Sequence, residues 1–291
     1  ATAALDDPRE LLHLAGRSPV FARGLALDHA RWSDTLSAYD GMVGPLLEHP
    51  TEPLSPTRVE KYASCPFRYL LRYGVGIRPL ADPERAAELP AIDRGQILHA
   101  ALHDFLSATR RAGRDLRAED RSALAEALLA AADRVLARQE ETGATGSPFV
   151  WELERSAIRR DLLRWLDTEL EEAADVWPSF FETRFGPLSS DGSPEDPASS
   201  DEPASLDLGD GRTFRFRGRI DRIDLSPDGR RFRVIDYKGG SPRDARSETV
   251  RGGRALQLPI YLLAARDLLR RRGHLAEEGE AQYFFVTRRA A

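Results

Sequence analysis

Gly218-Arg219-Ile220-Asp221-Arg222-Ile223-Asp224 and, after a short connection, Arg231-Phe232-Arg233-Val234-Ile235-Asp236-Tyr237-Lys238 decide how this chain folds. Each segment reads as a β-strand, and Pro227-Asp228-Gly229 between them is turn chemistry. So short a turn predicts antiparallel neighbours. Side chains alternate along a strand, so Asp236 and Lys238 point one way and Tyr237 the other. Asp221 falls near the end of the first strand, within reach of that same region. Lys238 is one of only two lysines among 42 basic residues. Arginine bias of a GC-rich genome is enough to explain that scarcity. A compact ammonium is nevertheless a different tool from a guanidinium fork.

Two carboxylates with a carbonyl or water make a hard, oxygen-rich site suited to Mg²⁺ or Mn²⁺. Such an ion polarises a phosphoryl oxygen, and Lys238 would orient the attacking water or balance developing charge. Gly239-Gly240 directly afterwards allows close approach of backbone or substrate. An ordinary surface hairpin would carry an Asp-x-Lys equally well. Against that, Asp236 follows the apolar Phe232, Val234 and Ile235, where an unpaired acid is costly. The pair of acids with Lys238 therefore predicts a metal-dependent phosphodiesterase.

Outward from this stretch, residues 205–208 and 213–224 around Gly209-Asp210-Gly211 are expected to form a hairpin, and residues 180–185 a further strand. A loop with four glycines then leads to a helix at about 255–272 and a last strand at 281–287. The Ser/Pro/Asp/Glu-rich stretch at about 189–205 has the composition of a disordered surface loop. Upstream the spacing is helical. Ser55 as N-cap and Pro56 at the first helical position open a helix to about residue 64. Cys65-Pro66 interrupts it, and residues 67–73 resume a helical turn. Residues 93–110 carry one apolar stripe, Ile97, Leu98, Ala101, Leu102, Phe105 and Leu106. Longer helices are predicted at about 118–141 and 152–175. Residues 1–50, with two short helical patterns and an extended run at 37–43, form a lead-in segment to a domain over 51–291. That domain comprises a helical part at about 93–175, the acidic loop, and a sheet with its helix at about 206–287. The order predicts an α/β fold, a mixed central sheet flanked by helices.

The 291 residues are 41% hydrophobic and 31% charged, a globular composition without an apolar run near the roughly 20 residues that span a bilayer. The first residues show no basic and apolar leader pattern, so no export signal is expected. One cysteine fits a reducing, cytoplasmic setting. A net charge of −5 argues at first against a polyanionic partner, but residues 188–210 hold seven acids and no base. Without them the balance is +2, and Arg215, Arg217 and Arg219 or Arg270 to Arg272 stand out as basic clusters. Binding of nucleic acid follows local fields, so the charge permits it.

His99 and His103 lie four residues apart on one predicted helix face, as do Gln257 and Tyr261. For the histidines the preferred reading is two helix residues at the edge of the core, and the second pair reads equally as an ordinary helix surface. Imidazole is also a ligand for Mn²⁺, and Gln257 with Tyr261 could bind phosphate or brace Lys238. Glu182 offers a further acid, though an ordinary strand position is the stronger reading. Cys65 alone cannot hold an iron–sulfur cluster, which takes four thiolates, and reads as a small buried residue at a helix break.

Taken in order, Leu54-Ser55-Pro56-Thr57-Arg58 with Cys65-Pro66-Phe67-Arg68-Tyr69, Gly95-x-x-x-His99, Gly218 to Asp224, Val234 to Lys238 and Gln257-x-x-x-Tyr261 resemble one family. It is the RecB-like branch of the PD-(D/E)XK nucleases, in particular the nuclease domain of AddB-type helicase–nuclease subunits. The resemblance implies a restriction-endonuclease-like core with a helical insertion. It also implies metal ligation by His99, Asp221 and Asp236, catalysis with Lys238, and DNA positioning by Gln257 and Tyr261. The family's Pro-Asp is Ile220-Asp221 here. Relatives with an iron–sulfur cluster join the Cys-Pro-Phe cysteine to three others; Cys65 is the only cysteine of this chain, so no cluster is expected within it. No Gly-x-x-x-x-Gly-Lys-[Ser/Thr] occurs, so a helicase motor would lie outside these residues. The implied activity is Mg²⁺- or Mn²⁺-dependent exonucleolytic cleavage, on single-stranded DNA ends of the bacterial nucleoid, in recombinational repair. The alternative is an inactive DNA-binding or scaffolding module.

Overall fold

The computed structural model describes residues 13, 16–35, 52–78, 89–143, 145–172, 175–187, 196–239, 250 and 253–286. The chain divides into two compact units, Ala1–Thr51 and Glu52–Ala291. In the first, helix α1 (Pro19–Arg31) starts where Ser18 accepts the N–H of Phe21 through its side chain. The extended run expected at 37–43 lies outside the described residues.

The second unit opens with α2 (Pro56–Ser64), capped by Ser55, whose Oγ accepts the N–H of Arg58 at 3.3 Å. Cys65 ends that helix and caps α3 (Pro66–Tyr69) through its Sγ, and a π-turn follows over Leu70–Gly74. Then come α4 (Ala91–Arg111), α5 (Arg121–Glu141) and α6 (Pro148–Glu171). The strands are β1 (Trp177–Phe185), β2 (Ala204–Asp207), β3 (Thr213–Phe216), β4 (Gly218–Leu225) and β5 (Arg231–Lys238). Helix α7 (Gln257–Arg271) and strand β6 (Glu278–Phe285) complete the unit.

The main sheet runs β1-β4-β5-β6, antiparallel except for the parallel β5–β6 pair. It is a mixed sheet with helices on both faces. On one face the apolar stripe of α4 packs with Leu128 of α5, Trp165 of α6, and Ile235 and Tyr237 of β5. On the other, Ile260, Ala264 and Leu268 of α7 pack on Ile220, Phe232 and Val234. The two-residue alternation of β5 thus divides its side chains between two cores. At Gly279 a Cβ would meet the Phe232 ring at 2.2 Å, so only glycine lets β6 lie beside β5 there.

The single strand expected at 213–224 is two strands. β3 pairs with β2 as a separate hairpin, and Leu54 pairs with it through Leu54 N–H to the Arg215 carbonyl and Arg217 N–H to the Leu54 carbonyl. At Gly218 the chain passes so close to Phe185 and Tyr261 that a Cβ would lie 2.8 Å from the Phe185 ring. Within the stretch read as disordered, residues 189–195 lie outside the described residues, and residues 196–205 are ordered. Asp196 is buried there, accepts the N–H groups of Phe181 and Ala198, and pairs with Arg110 at 3.0 Å. Composition missed this because one buried acceptor is enough to fix a polar loop on a strand.

Beneath the sheet lies a buried ionic cluster. Arg222, fully buried, reaches both oxygens of Glu169 at 2.6 and 2.8 Å, both oxygens of Asp224, and the Tyr237 hydroxyl at 3.3 Å. Arg233 joins Asp224 and Glu172, each at 3.0 Å. Burial would raise the Glu169 carboxyl, but the Arg222 guanidinium outweighs it and holds the group below its ordinary range. Among the described residues no helix is long and apolar enough to cross a membrane.

Candidate metal centre

The β4–β5 ladder ends at Arg222 opposite Ile235. One residue further on, the Asp221 carboxylate accepts the N–H of Tyr237 at 2.7 Å. The carbonyl of Tyr237 meets Nε2 of His99, from α4, at 3.0 Å. A carbonyl can only accept, so Nε2 carries the proton. Nδ1 then faces the Asp221 carboxylate at 3.5 Å and that of Glu182, from β1, at 4.0 Å. An imidazole nitrogen turned toward two acceptors takes either a proton or a cation. One ligand atom each from His99, Glu182 and Asp221 lie within 4.8 Å of one another. That donor set, one imidazole and two carboxylates, fits a hard or borderline divalent ion.

Beside it, on β5, Asp236 is buried and its Oδ1 accepts from Nε2 of Gln257 at 2.8 Å. Its other oxygen lies against the Lys238 ammonium. Lys238 in turn donates to Oε1 of Gln257 at 2.9 Å and stands 5.2 Å from the Tyr283 ring centre. Gln257 also donates to the Tyr261 hydroxyl at 3.2 Å. The four residues form one chain of hydrogen bonds between β5 and the first turn of α7. That turn is held by Glu60 of α2, whose Oε1 accepts the N–H groups of Leu256 and Gln257 at 2.7 and 2.9 Å.

Burial would lower the pKa of His99, but the adjacent Asp221, helped by Glu182 and Asp236, lifts it to about 9. Burial and the Asp221 charge push Asp236 up to about 7 against the pull of Lys238 and His99. Crowded carboxylates act in both, raising His99 against its burial and adding to the burial that raises Asp236. Burial and the same acids raise the Tyr261 phenol as well.

The structure brings His99 and Asp221 together, with Asp236, Lys238, Gln257 and Tyr261 joined next to them. His103 is turned to its neighbour Asp104, 3.4 Å away. Glu182, read from the sequence as more an ordinary strand residue than a ligand, faces His99, while Asp236 lies outside the close group of three. Glu182 adopts a left-handed backbone, φ 51°, rare for a side chain of its kind. Its sequence signal is faint, the adjacent Phe180-Phe181 that breaks a two-residue alternation; in the structure both rings are buried, beside a register shift at residues 178–180.

Residues 53–291 match the family model described as the PD-(D/E)XK nuclease superfamily. The chain belongs to that superfamily. Within that range Asp221 and Asp236-Tyr237-Lys238 lie on two strands that part beside His99. Among similar proteins, an ATP-dependent helicase/deoxyribonuclease subunit from Moorella thermoacetica is 34% identical over 242 residues, 80% of this chain and 19% of that protein. The protein of the same name from Ruminiclostridium cellulolyticum is 30% identical over 210 residues, 71% of this chain and 17% of its own length. The chain therefore spans about a fifth of the curated relatives it matches.

Proposed function

We propose that this PD-(D/E)XK domain is a metal-dependent deoxyribonuclease, the nuclease part of a helicase–nuclease that works in recombinational DNA repair. The observation that carries the reading is the convergence of His99, Glu182 and Asp221 beside the Asp236–Lys238 pair. His99, Asp221 and Asp236 would hold Mg²⁺ or Mn²⁺, with Glu182 completing the acidic wall. When bound, such an ion supplies Lewis acidity toward a phosphoryl oxygen and acidifies a bound water.

The chain's own residues do the remaining work. Tyr237, through its main chain, fixes Asp221 and the tautomer of His99. Lys238, restrained by Gln257, presents an ammonium that orients the attacking water and offsets charge gathering on the phosphate oxygens. Gln257 and Tyr261 brace Asp236 and Lys238 and would position the strand. Names of the relatives support DNA as substrate and a helicase as the partner. Action on single-stranded ends, as an exonuclease, belongs to the same proposal.

The test is cleavage of a labelled DNA strand in Mg²⁺, in Mn²⁺ and in EDTA, with Lys238→Ala and Asp236→Ala beside the parent. Metal-dependent cleavage by the parent alone is expected. Equal cleavage by both variants overturns the assignment, and DNA binding without turnover by the parent would replace it with an inactive DNA-binding module.

A further inference from the structure

Residues 53–78 contain five basic side chains, Arg58, Lys61, Arg68, Arg72 and Arg78, and a single acid, Glu60. Such a surplus stands out in a chain whose total charge is −5. Glu60 does not offset it, being turned inward onto the N–H groups of Leu256 and Gln257. The same contact fastens α2 to the turn that carries Gln257, and so to the edge of the metal centre. No described acid forms an ion pair with Arg58, Lys61, Arg68 or Arg72.

Aromatic rings are interleaved with these cations. Arg58 donates through Nε to the Tyr69 hydroxyl at 2.9 Å, and its guanidinium lies 4.9 Å from the Tyr73 ring centre. Tyr62 meets Tyr69 edge-on at 5.4 Å. Tyr69 is buried and anchors the group, whereas Tyr62 is 57% and Phe67 66% exposed. Neither ring contributes to either core. Packing accounts for Tyr69 but leaves two large rings in water beside unneutralised cations.

The geometry points to α2–α3 as a stacking platform for single-stranded DNA, with Tyr62 and Phe67 taking base faces and Lys61 and Arg68 taking phosphates. Exposed ring faces stack on any unpaired base, and a basic surface tracks the backbone. A duplex hides its base faces, so the unpaired strand is the better fit. The choice of DNA rests on the nuclease reading, which this inference extends by giving the strand a path to the site.

Anisotropy of a dye-labelled thymidine oligonucleotide, measured on the 291-residue chain in EDTA, tests binding apart from catalysis. The double variant Tyr62→Ala/Phe67→Ala should bind about tenfold more weakly or worse, while Tyr62→Trp keeps parental affinity. Lys61→Ala should reduce the slope of log affinity against log salt by about 0.7. Affinity of the double variant within about twofold of the parent overturns the platform and assigns the rings to a protein surface. Failure of the parent to bind overturns it too. Hydrolysis of bis(para-nitrophenyl) phosphate in Mn²⁺ reports the metal centre alone and should be equal in parent and double variant. Its absence from the parent would count against the nuclease reading, with the EDTA measurement still deciding the platform.

Discussion

Asp221 takes the backbone N–H of Tyr237 at 2.7 Å, just where β4 and β5 stop pairing. A side-chain carboxylate has replaced the next rung of the ladder. Because the Tyr237 carbonyl also meets His99, two groups of the centre are located by one residue's main chain. The ring of that residue is buried among the helices, edge-on to His99 at 5.9 Å.

Tyr237→Phe should therefore leave metal-dependent cleavage near the parental rate. It removes the hydroxyl 3.3 Å from Arg222, and stability should fall by about 1 kcal/mol in urea denaturation. Cleavage slowed more than about tenfold, a barrier change of roughly 1.4 kcal/mol, with unchanged stability, would mean that the hydroxyl itself sets the site.

Gln257→Ala should lower kcat by about 10- to 100-fold, the usual cost of losing a partner of a ligand. Gln257 bridges Asp236 and Lys238, and both would lose their restraint. The thermal midpoint should hardly move, since neither core includes Gln257. A parental kcat would refute the bracing role.

Glu182 sets stability against binding. At φ 51°, Glu182→Gly should be about 1 kcal/mol more stable than Glu182→Ala, which keeps the strained Cβ. Both should bind Mn²⁺ more weakly than the parent by calorimetry. Equal Mn²⁺ affinity in all three proteins would remove Glu182 from the centre.

The pH dependence of folding follows from Glu169. Arg222 holds its carboxyl below the ordinary 4.5, so the unfolded chain binds that proton more readily than the folded one. This stabilisation is complete above about pH 4.5 and is lost as pH falls through the folded value. The urea midpoint should drop over that acid range. Glu169→Gln should flatten the drop while costing about 3 kcal/mol or more at neutral pH, because Arg222 keeps its buried charge. A parental acid profile in that variant would show that other carboxylates dominate.

Much of this fold was legible locally. The alternation of residues 231–238 assigned Ile235 and Tyr237 to one side and Val234 and Asp236 to the other. The stripe from Ile97 to Leu106 and the Ser55-Pro56 start were equally plain. What escaped depended on distant partners. The break at Gly218 reflects the Phe185 and Tyr261 rings and the pairing of Leu54 with Phe216. Asp196 reads as loop composition until Arg110 and the N–H of Phe181 stand opposite it. Within the centre, spacing marked His99 and Asp221 as candidates, whereas Glu182 is aimed by a left-handed backbone that no residue type announces.

The ionic cluster around Arg222 has a practical consequence for anyone trimming this protein. Glu169 and Glu172 come from α6 and its end, whereas the guanidinium groups they neutralise belong to the sheet. Excising the helices to obtain a minimal catalytic fragment would strand two cations in an oily interior with one aspartate between them. Such a shortened protein should be recovered as inclusion bodies, however intact its chemistry looks on paper.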